Sequence, residues 1–330
     1  MQNMILSIGF KEKQEFSSVK SKKDLIFLMV YDIIVVLNFT SAKTRYKYPK
    51  RGADMIDLHC HSTLSDGSLG VEEIIRQASK VGIETLCITD HDTLSGYSRA
   101  KFLGERYHVN VIQGVEMSAW DKERQSKVHM LCYVPRNPDR LEMLCLKSRE
   151  IRKEVSKEMI EKVMELYPIT TDSVLRHCKG AESIFKVHIM RALIDYGYAL
   201  EFYGELDTKL FHPKNGSCIV NREYPDINHV INLIHGAHGV AVMAHPMLYD
   251  NYDLLEELAA EGKIDGVEVD HYSADDAAKE KLRALAERYD LIITGGSDFH
   301  GLYNQKPSPL GAQGTSPEQL KKLLDRAAHL

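Results

Sequence analysis

Short motifs of histidine and carboxylate recur along the apolar runs of this chain, and five of the six motifs close a run of strand length. That recurrence limits the architecture more than any other feature. The strand-length runs are Met55–His59, Thr85–Thr89, Asn110–Gly114, Val128–Val134, Val240–Ala244, Gly266–Asp270 and Leu291–Thr294. Amphipathic stretches of helix length lie between most of them, such as Val71–Val81, Asp253–Glu261 and Asp275–Tyr289. Alternation of this kind predicts parallel βα units. Seven such strands suit a small, TIM-like α/β barrel rather than an open sheet, and in such a barrel the carboxyl ends of the strands converge on one face.

One block departs from the alternation. Arg140–Leu166 reads as a long charged helix ended by Pro168, and Ser183–Tyr196 as another helix. The block falls between the fourth and fifth strands and is expected to stand over one end of the barrel as a helical cap. Residues 55–138 and 223–330 then form the barrel, and residues 139–222 the cap.

In DLHCHSTLSDGS, His59 and His61 are two apart at a strand end. Residues i and i+2 of a strand point to the same side, so both imidazoles can reach one ion. Asp66 follows in a Ser-Asp-Gly turn, where aspartate is also common for conformational reasons alone. In LCITDHDT the strand ends in Asp90, His91 and Asp92, groups that are costly to bury unless satisfied. Alone, His91 would read as a core or supporting histidine; one strand after His59 it reads as a ligand. Glu116, in VIQGVEMSA, stands just past the third strand, and a carboxylate can bridge two cations where an imidazole cannot. His129 opens the fourth strand instead of closing one, so only a tight reversal after Glu116 would bring it to the same face. His245 ends the strand of VAVMAHPML, and Asp298 and His300 in IITGGSDFHG repeat the i, i+2 spacing. One such histidine is usually a satisfied core residue. The whole set is expected to share one pocket. His108, His177, His212, His235, His238 and His329 show no such placement and read as surface or loop residues.

Composition narrows the class further. The 330 residues are 44% hydrophobic and 27% charged, enough for a sizeable core. A net charge of −5 supplies no basic field for long duplex nucleic acid, although metal ions can attract nucleotides or short oligonucleotides locally. Six cysteines, none in a CxxC pair, fit reduced thiols and a cytoplasmic location. Residues 1–54 differ from the rest. Their run Leu25–Phe39 is apolar except for Asp32 and Asn38, and falls short of the about 20 residues that span a membrane. Lys20, Lys22 and Lys23 precede it, but no clean cleavage site follows. The segment is expected to be a poorly ordered or peripheral extension, with Met55 as the natural start; membrane anchoring is the alternative, and no obligate membrane partner is implied.

HCHSTLSDGS, ITDHDT, GVEMSA, AHP and SDFHG resemble, in order, the motifs of the PHP (polymerase and histidinol phosphatase) family, from Met55 to near the C-terminus. The resemblance implies a distorted seven-stranded barrel that hydrolyses phosphoesters with up to three metals. The helical insertion makes the chain most similar to the nucleotide-phosphoesterase branch, which removes the 3′-phosphate of 3′,5′-bisphosphonucleotides or trims RNA from its 5′ end. By motif, one metal falls to His59, His61, Glu116 and Asp298, a second to Glu116, His129 and His245, and a third to Asp66, His91 and His300. Asp66 stands where some branches have histidine, which bears on the affinity or identity of the third metal. The absence of thiolate ligands favours Mn²⁺, Fe²⁺ or Zn²⁺. Two or three such ions imply hydrolysis by a metal-bridging hydroxide, with Glu116, Asp298 and His300 catalytic, and no G-x-S-x-G elbow or P-loop argues for another route. FKVHIMRAL in the cap places Lys186, His188 and Arg191 on one helical stretch as candidate substrate contacts; the family commonly has arginine at Lys186, and His188 could equally be a packing residue. Histidinol-phosphate phosphatase and a non-catalytic metal-binding scaffold are the competing readings. The cap speaks against the first, and the nearly complete ligand set against the second.

The distinct composition of residues 1–54 yields a test. A chain beginning at Met55 is expected to fold and keep its turnover rate, checked by circular dichroism and phosphate release. An insoluble or inactive product would show that the apolar run packs on the barrel or anchors it.

Overall fold

A computed structural model describes residues 55–330; the expectations for residues 1–54 lie outside the described residues. Strands β1 (Met55–Cys60), β2 (Ile83–Ile88), β3 (Asn110–Asp121), β4 (Ser126–Tyr133), β5 (Val240–Met243), β6 (Gly266–Asp270) and β7 (Ile292–Gly295) form one seven-stranded sheet in sequence order. Beyond β7 the chain lies against β1: the amide of His61 donates to Phe299 O, and that of Asp298 to His59 O, both at 2.8 Å.

The expectation of parallel units throughout is corrected at β4, which runs antiparallel to both β3 and β5; the other neighbouring pairs are parallel. The reason is connection length. Only residues 122–125 separate β3 from β4, whereas a parallel crossover needs about a dozen residues or more. β3 is also longer than expected, so Glu116 lies inside the strand and not past it.

Helices α1 (Val71–Val81) and α2 (Tyr97–Tyr107) follow the first two strands. The insertion holds α3 (Asp139–Leu166), α4 (Thr171–Leu175), α5 (Lys186–Asp195) and α6 (Glu205–Phe211). Then come α7 (Ile227–Gly236), α8 (Tyr252–Ala260), α9 (Asp276–Arg288) and α10 (Pro317–His329). α1 shows why these segments are helical. Val71, Ile74, Ile75 and Ala78 recur at helical spacing and are buried. At its start the Gly70 amide donates to the Glu73 carboxylate at 2.8 Å, and Gly82 ends it at φ +89°, a conformation that suits glycine.

The largest core lies between sheet and helices, where Met117, Val267 and Val269 meet Ile231, Leu255 and Leu282. The insertion has its own core of Ile160, Val163, Ile189, Leu193 and Phe211 among others. Burying one such side chain stabilises by about 1.5–3 kcal/mol, so the cap is a packed unit and not a loop. α3 belongs to both cores: Leu141 and Cys145 pack with the barrel, and Met159, Ile160 and Val163 with the cap. By packing, the cap therefore begins within α3.

The approach of β7 to β1 depends on Gly296. A Cβ there would stand 2.4 Å from both the Cβ and the amide nitrogen of His59. Gly296→Ala is expected to destabilise the fold by about 1–3 kcal/mol, the usual range for an overpacked site, as a lowered urea midpoint. An unchanged midpoint would show that the two segments can separate without cost.

Candidate metal centre

Strand direction explains how the motifs meet. β1, β2, β3, β5, β6 and β7 present their carboxyl ends to one face, and the reversed β4 presents its amino end there. His129, inside β4 because the strand begins earlier than expected, at Ser126, pairs across the hairpin with Ser118, two residues from Glu116. The tight reversal that His129 required is thus the β3–β4 hairpin.

His59, His61, Glu116 and Asp298 form the tightest group. The two Nε2 atoms are 3.1 Å apart. Glu116 Oε2 lies 3.2 Å from His59 Nε2 and 3.1 Å from His61 Nε2, and Asp298 Oδ1 lies 3.3 Å and 3.2 Å from the same atoms. Metal–ligand bonds of about 2.0–2.2 Å bring neighbouring donors to about this separation. The other oxygen of Glu116 faces different imidazoles: Oε1 is 2.5 Å from His129 Nδ1 and 2.9 Å from His245 Nε2. His91 Nδ1 is 3.4 Å from Oε2 and joins Glu116 and His129 in a second group whose donor atoms converge. The third group is His61, Asp66, His91 and His300, with Asp66 3.4 Å from His300 Nε2 and 3.7 Å from His91 Nε2. All nine anticipated residues therefore come together, with His245 beside Glu116 but outside the three converging groups.

The donor set fits divalent cations. His129 Nε2 and His245 Nδ1 are buried without a hydrogen-bond partner among the described residues, although such groups are costly to leave unsatisfied. Burial opposes the charge on Glu116, yet His91, His129 and His59 hold its carboxyl well below the usual range. Burial likewise opposes charge on Asp298, and His59 and His300 hold it down. His61 would be lowered by burial, but its bonds to Asp298 and Glu116 lift it to about 10. Burial pushes His91 down to about 4 and His129, helped by the nearby Lys127, well below the histidine range. His91 and His129 are thus held neutral, the form in which an imidazole binds metal, whereas the surrounding carboxylates favour the protonated form of His59 and His61, so an ion bound there would have to displace those protons.

A further layer was missed in the sequence. Glu268, fully buried in β6, accepts from His59 Nδ1 at 2.9 Å through Oε1 and from the His245 amide at 2.9 Å through Oε2. His271, fully buried just after β6, meets Asp298 Oδ2 at 3.0 Å and Ser273 Oγ at 2.6 Å. The signal for His271 was present, because it closes a strand as His245 does. Groups of this kind fix the orientation of metal ligands. Asp90 and Asp92 have the same kind of role: Asp90 accepts from the amide and hydroxyl of Ser62 and the hydroxyl of Ser65, and Asp92 from the amide and hydroxyl of Ser118 and from Arg152. Asp92, His245 and Asp298 hold φ values of +53°, +25° and +47°, strained for such residues and typical of functional sites.

The proposed cap contacts are otherwise engaged. Lys186 pairs with Asp207 at 2.9 Å and Arg191 with Asp195 at 2.9 Å. His188 is buried with Nδ1 3.3 Å from Cys178 Sγ and 3.2 Å from the Phe185 amide. The cap reaches the centre instead through Phe185, whose ring stacks on His91 at 5.9 Å, and through Arg152. The six histidines read as surface or loop residues take no part in the three groups.

Imidazoles and carboxylates gathered at the strand ends of such a sheet define a metal-dependent hydrolase. The PHP domain is matched over residues 57–297. The chain is 38% identical over 256 residues to a phosphoribosyl 1,2-cyclic phosphate 1,2-diphosphodiesterase of Eggerthella lenta, covering 76% of this chain and 96% of that protein. It is 33% identical over 257 residues to a 3′,5′-nucleoside bisphosphate phosphatase of Chromobacterium violaceum, covering 74% and 87%. A solved structure of a candidate metal-dependent phosphoesterase from Bifidobacterium adolescentis superposes with a TM-score of 0.75 at 30% identity, covering 85% of this chain and 98% of that one. The chain belongs to the PHP family and is a metal-dependent phosphoesterase.

Glu116→Gln is expected to disturb metal binding more than His245→Ala, because Glu116 faces two sets of candidate ligands, one through each oxygen, whereas His245 meets a single oxygen of Glu116. Metal analysis of the two variants, prepared alike, checks this. Retention of the full complement by the Gln variant, with greater loss in the Ala variant, would refute a bridging Glu116.

Proposed function

We propose that this phosphoesterase hydrolyses small ribose phosphates: bisphosphorylated nucleotides, phosphoribosyl cyclic phosphates or the 5′ end of short RNA. The observation that carries the reading is the division of Glu116 between two sets of imidazoles, which suits a carboxylate shared by two cations. The substrate class is supported by the names of the relatives, two of them given above; a third, the 5′-3′ exoribonuclease Rnm of Escherichia coli, is 30% identical over 256 residues, covering 75% of this chain and 86% of that protein.

Two or three divalent ions, Mn²⁺, Fe²⁺ or Zn²⁺, are assigned to His59, His61, Glu116 and Asp298; to Glu116, His129 and His245, with His91 adjoining; and to Asp66, His91 and His300. When bound, the ions supply Lewis-acid polarisation of phosphoryl oxygens and acidify water. The chain supplies the rest. Glu116, Asp298 and His300 hold the reacting region, Glu268 and His271 fix the orientation of their neighbours, and Phe185 excludes water above His91. A small substrate agrees with the net charge of −5, and cytoplasmic residence with six free cysteines. No helix among the described residues is long and apolar enough to cross a membrane.

Product analysis over a panel tests the reading: phosphate release from a 3′,5′-bisphosphonucleotide and from histidinol phosphate, ring opening of a phosphoribosyl cyclic phosphate, and mononucleotide release from 5′-phosphorylated short RNA. Activity on ribose phosphates should vanish after thorough chelation and return with Mn²⁺. Preference for histidinol phosphate, full activity without metal, or a metal-loaded protein inert on the whole panel would each overturn it.

A further inference from the structure

We propose that Lys127, Arg222 and Arg152, gathered around Ser118 and Tyr224 beside His129, form an anion subsite for a second, non-reacting phosphate of the substrate. The inference rests on the ribose-phosphate reading above and deepens it.

The three cations come from separate parts of the chain: Lys127 from β4, Arg152 from α3 and Arg222 from the segment that leaves the cap. Ser118 Oγ accepts from Arg222 Nη2 at 3.2 Å and from Arg152 Nη2 at 3.4 Å. Arg222 Cζ lies 4.2 Å from the centre of the Tyr224 ring, and Lys127 Nζ is 5.8 Å from that ring and 5.3 Å from the ring of Tyr249. The same group adjoins the metal centre. Ser118 is the cross-strand partner of His129, and the Tyr249 ring is 5.6 Å from that of His129.

Charge makes this a site and not a packing detail. Among the described residues, Lys127 and Arg222 form no ion pair with a carboxylate, and the buried Arg152 forms one, with Asp92. Arg152 Nη1 is buried with no hydrogen-bond partner among the described residues. Like charges at close range repel, the more so away from water, and an anion would relieve the repulsion. The field shows at Tyr224: burial would raise its phenol, yet Lys127 and Arg222 bring it down to about 8. The cap cations Lys186 and Arg191 already have Asp207 and Asp195, so they make a poorer phosphate site. Two guanidinium forks and one ammonium suit the oxygens of a phosphate monoester. The metal ions would hold the reacting phosphoryl group, which leaves this cluster for another phosphate on the same molecule.

The test uses the Mn²⁺-loaded full chain and two readouts. Arg222→Gln and Lys127→Met should each lower kcat/KM for adenosine 3′,5′-bisphosphate about ten- to a hundredfold more than for adenosine 3′-monophosphate, the usual cost of a lost charged contact. Arg222→Lys, which keeps the charge, should recover part of the loss. Calorimetric binding of a ribose 5-phosphonate, whose P–C bond resists hydrolysis, should weaken at least tenfold in Arg222→Gln. Arg222 lies in a half-buried loop position, and thermal melts check that each variant is folded. Equal losses on both nucleotides, or phosphonate affinity unchanged by Arg222→Gln, would overturn the subsite. A wild-type protein that turns over neither nucleotide, yet binds the phosphonate with the expected dependence on Arg222, would support the subsite and remove bisphosphorylated nucleotides from the proposed substrates instead.

Discussion

The carboxylate of Glu116 sets the terms for the rest of the structure, because a buried anion has to be compensated where it stands. An unpaired carboxylate in the interior costs several kcal/mol. Here one oxygen faces His59, His61 and His91, and the other His129 and His245. The backbone gives it little freedom. Glu116 N donates to Thr89 O at 3.1 Å, and Asp92 N donates to Glu116 O at 2.9 Å. A carboxylate placed within a strand is held from both sides, more firmly than a loop would hold it.

Around that carboxylate the same device is repeated one layer out. Asp57, Asp90, Asp92 and Glu268 are all buried acids, and each accepts at least one backbone amide from a segment other than its own. Asp57 takes the amides of Ser297 and Gly311 at 2.9 Å and 2.8 Å, which holds the loop carrying Asp298 against β1. Burial raises the carboxyls of Asp57 and Asp90 above their ordinary value despite these bonds, so they cost more than the ion pairs they resemble. The effect of such acids is positional: Asp57 holds the loop of Asp298, and Glu268 the amide of His245, where unconstrained backbone would relax.

Much of this was legible in the sequence, for a physical reason. A strand that ends at a polar site shows an abrupt change from apolar to titratable residues, and His59, His61, His91, His245, Asp298 and His300 all carry it. Strand direction carries no such mark, because the two-residue period is the same either way. The short connection at 122–125 that sets the direction of β4 was hidden, because the strand-length runs end at Gly114 and resume at Val128, a gap long enough for a crossover. His271 obeyed the rule used for its neighbours and was overlooked. Glu268 was less accessible: it interrupts an apolar strand whose flanking Val267 and Val269 face the helices, a pattern that also fits a half-exposed strand. Lys127 and Arg222 had no local signal, since their meeting depends on where a long insertion re-enters the sheet.

That insertion is not an independent lid, and the contacts at its base show why. Arg149 Nη1 donates to Asp92 O at 2.6 Å, Thr93 Oγ1 to Glu182 at 2.9 Å, and the Glu182 amide to Leu64 O at 3.0 Å. Each barrel partner lies within a few residues of His61, Asp66 or His91. Asp92 is held from two sides, by Ser118 of the hairpin and by Arg152 of α3, while the next residue back is His91. Movement of α3 would therefore draw on the bond that fixes His91 before it opened the cap. Stability adds to this restraint, since α3 has its first turns in the barrel core and its last in the core of the cap. A rigid helix shared by two cores moves both or neither. The barrel thus supplies the candidate metal donors and the cap neighbouring cations, and the two are registered through Asp92, through the contacts of Glu182 and through the helix they share.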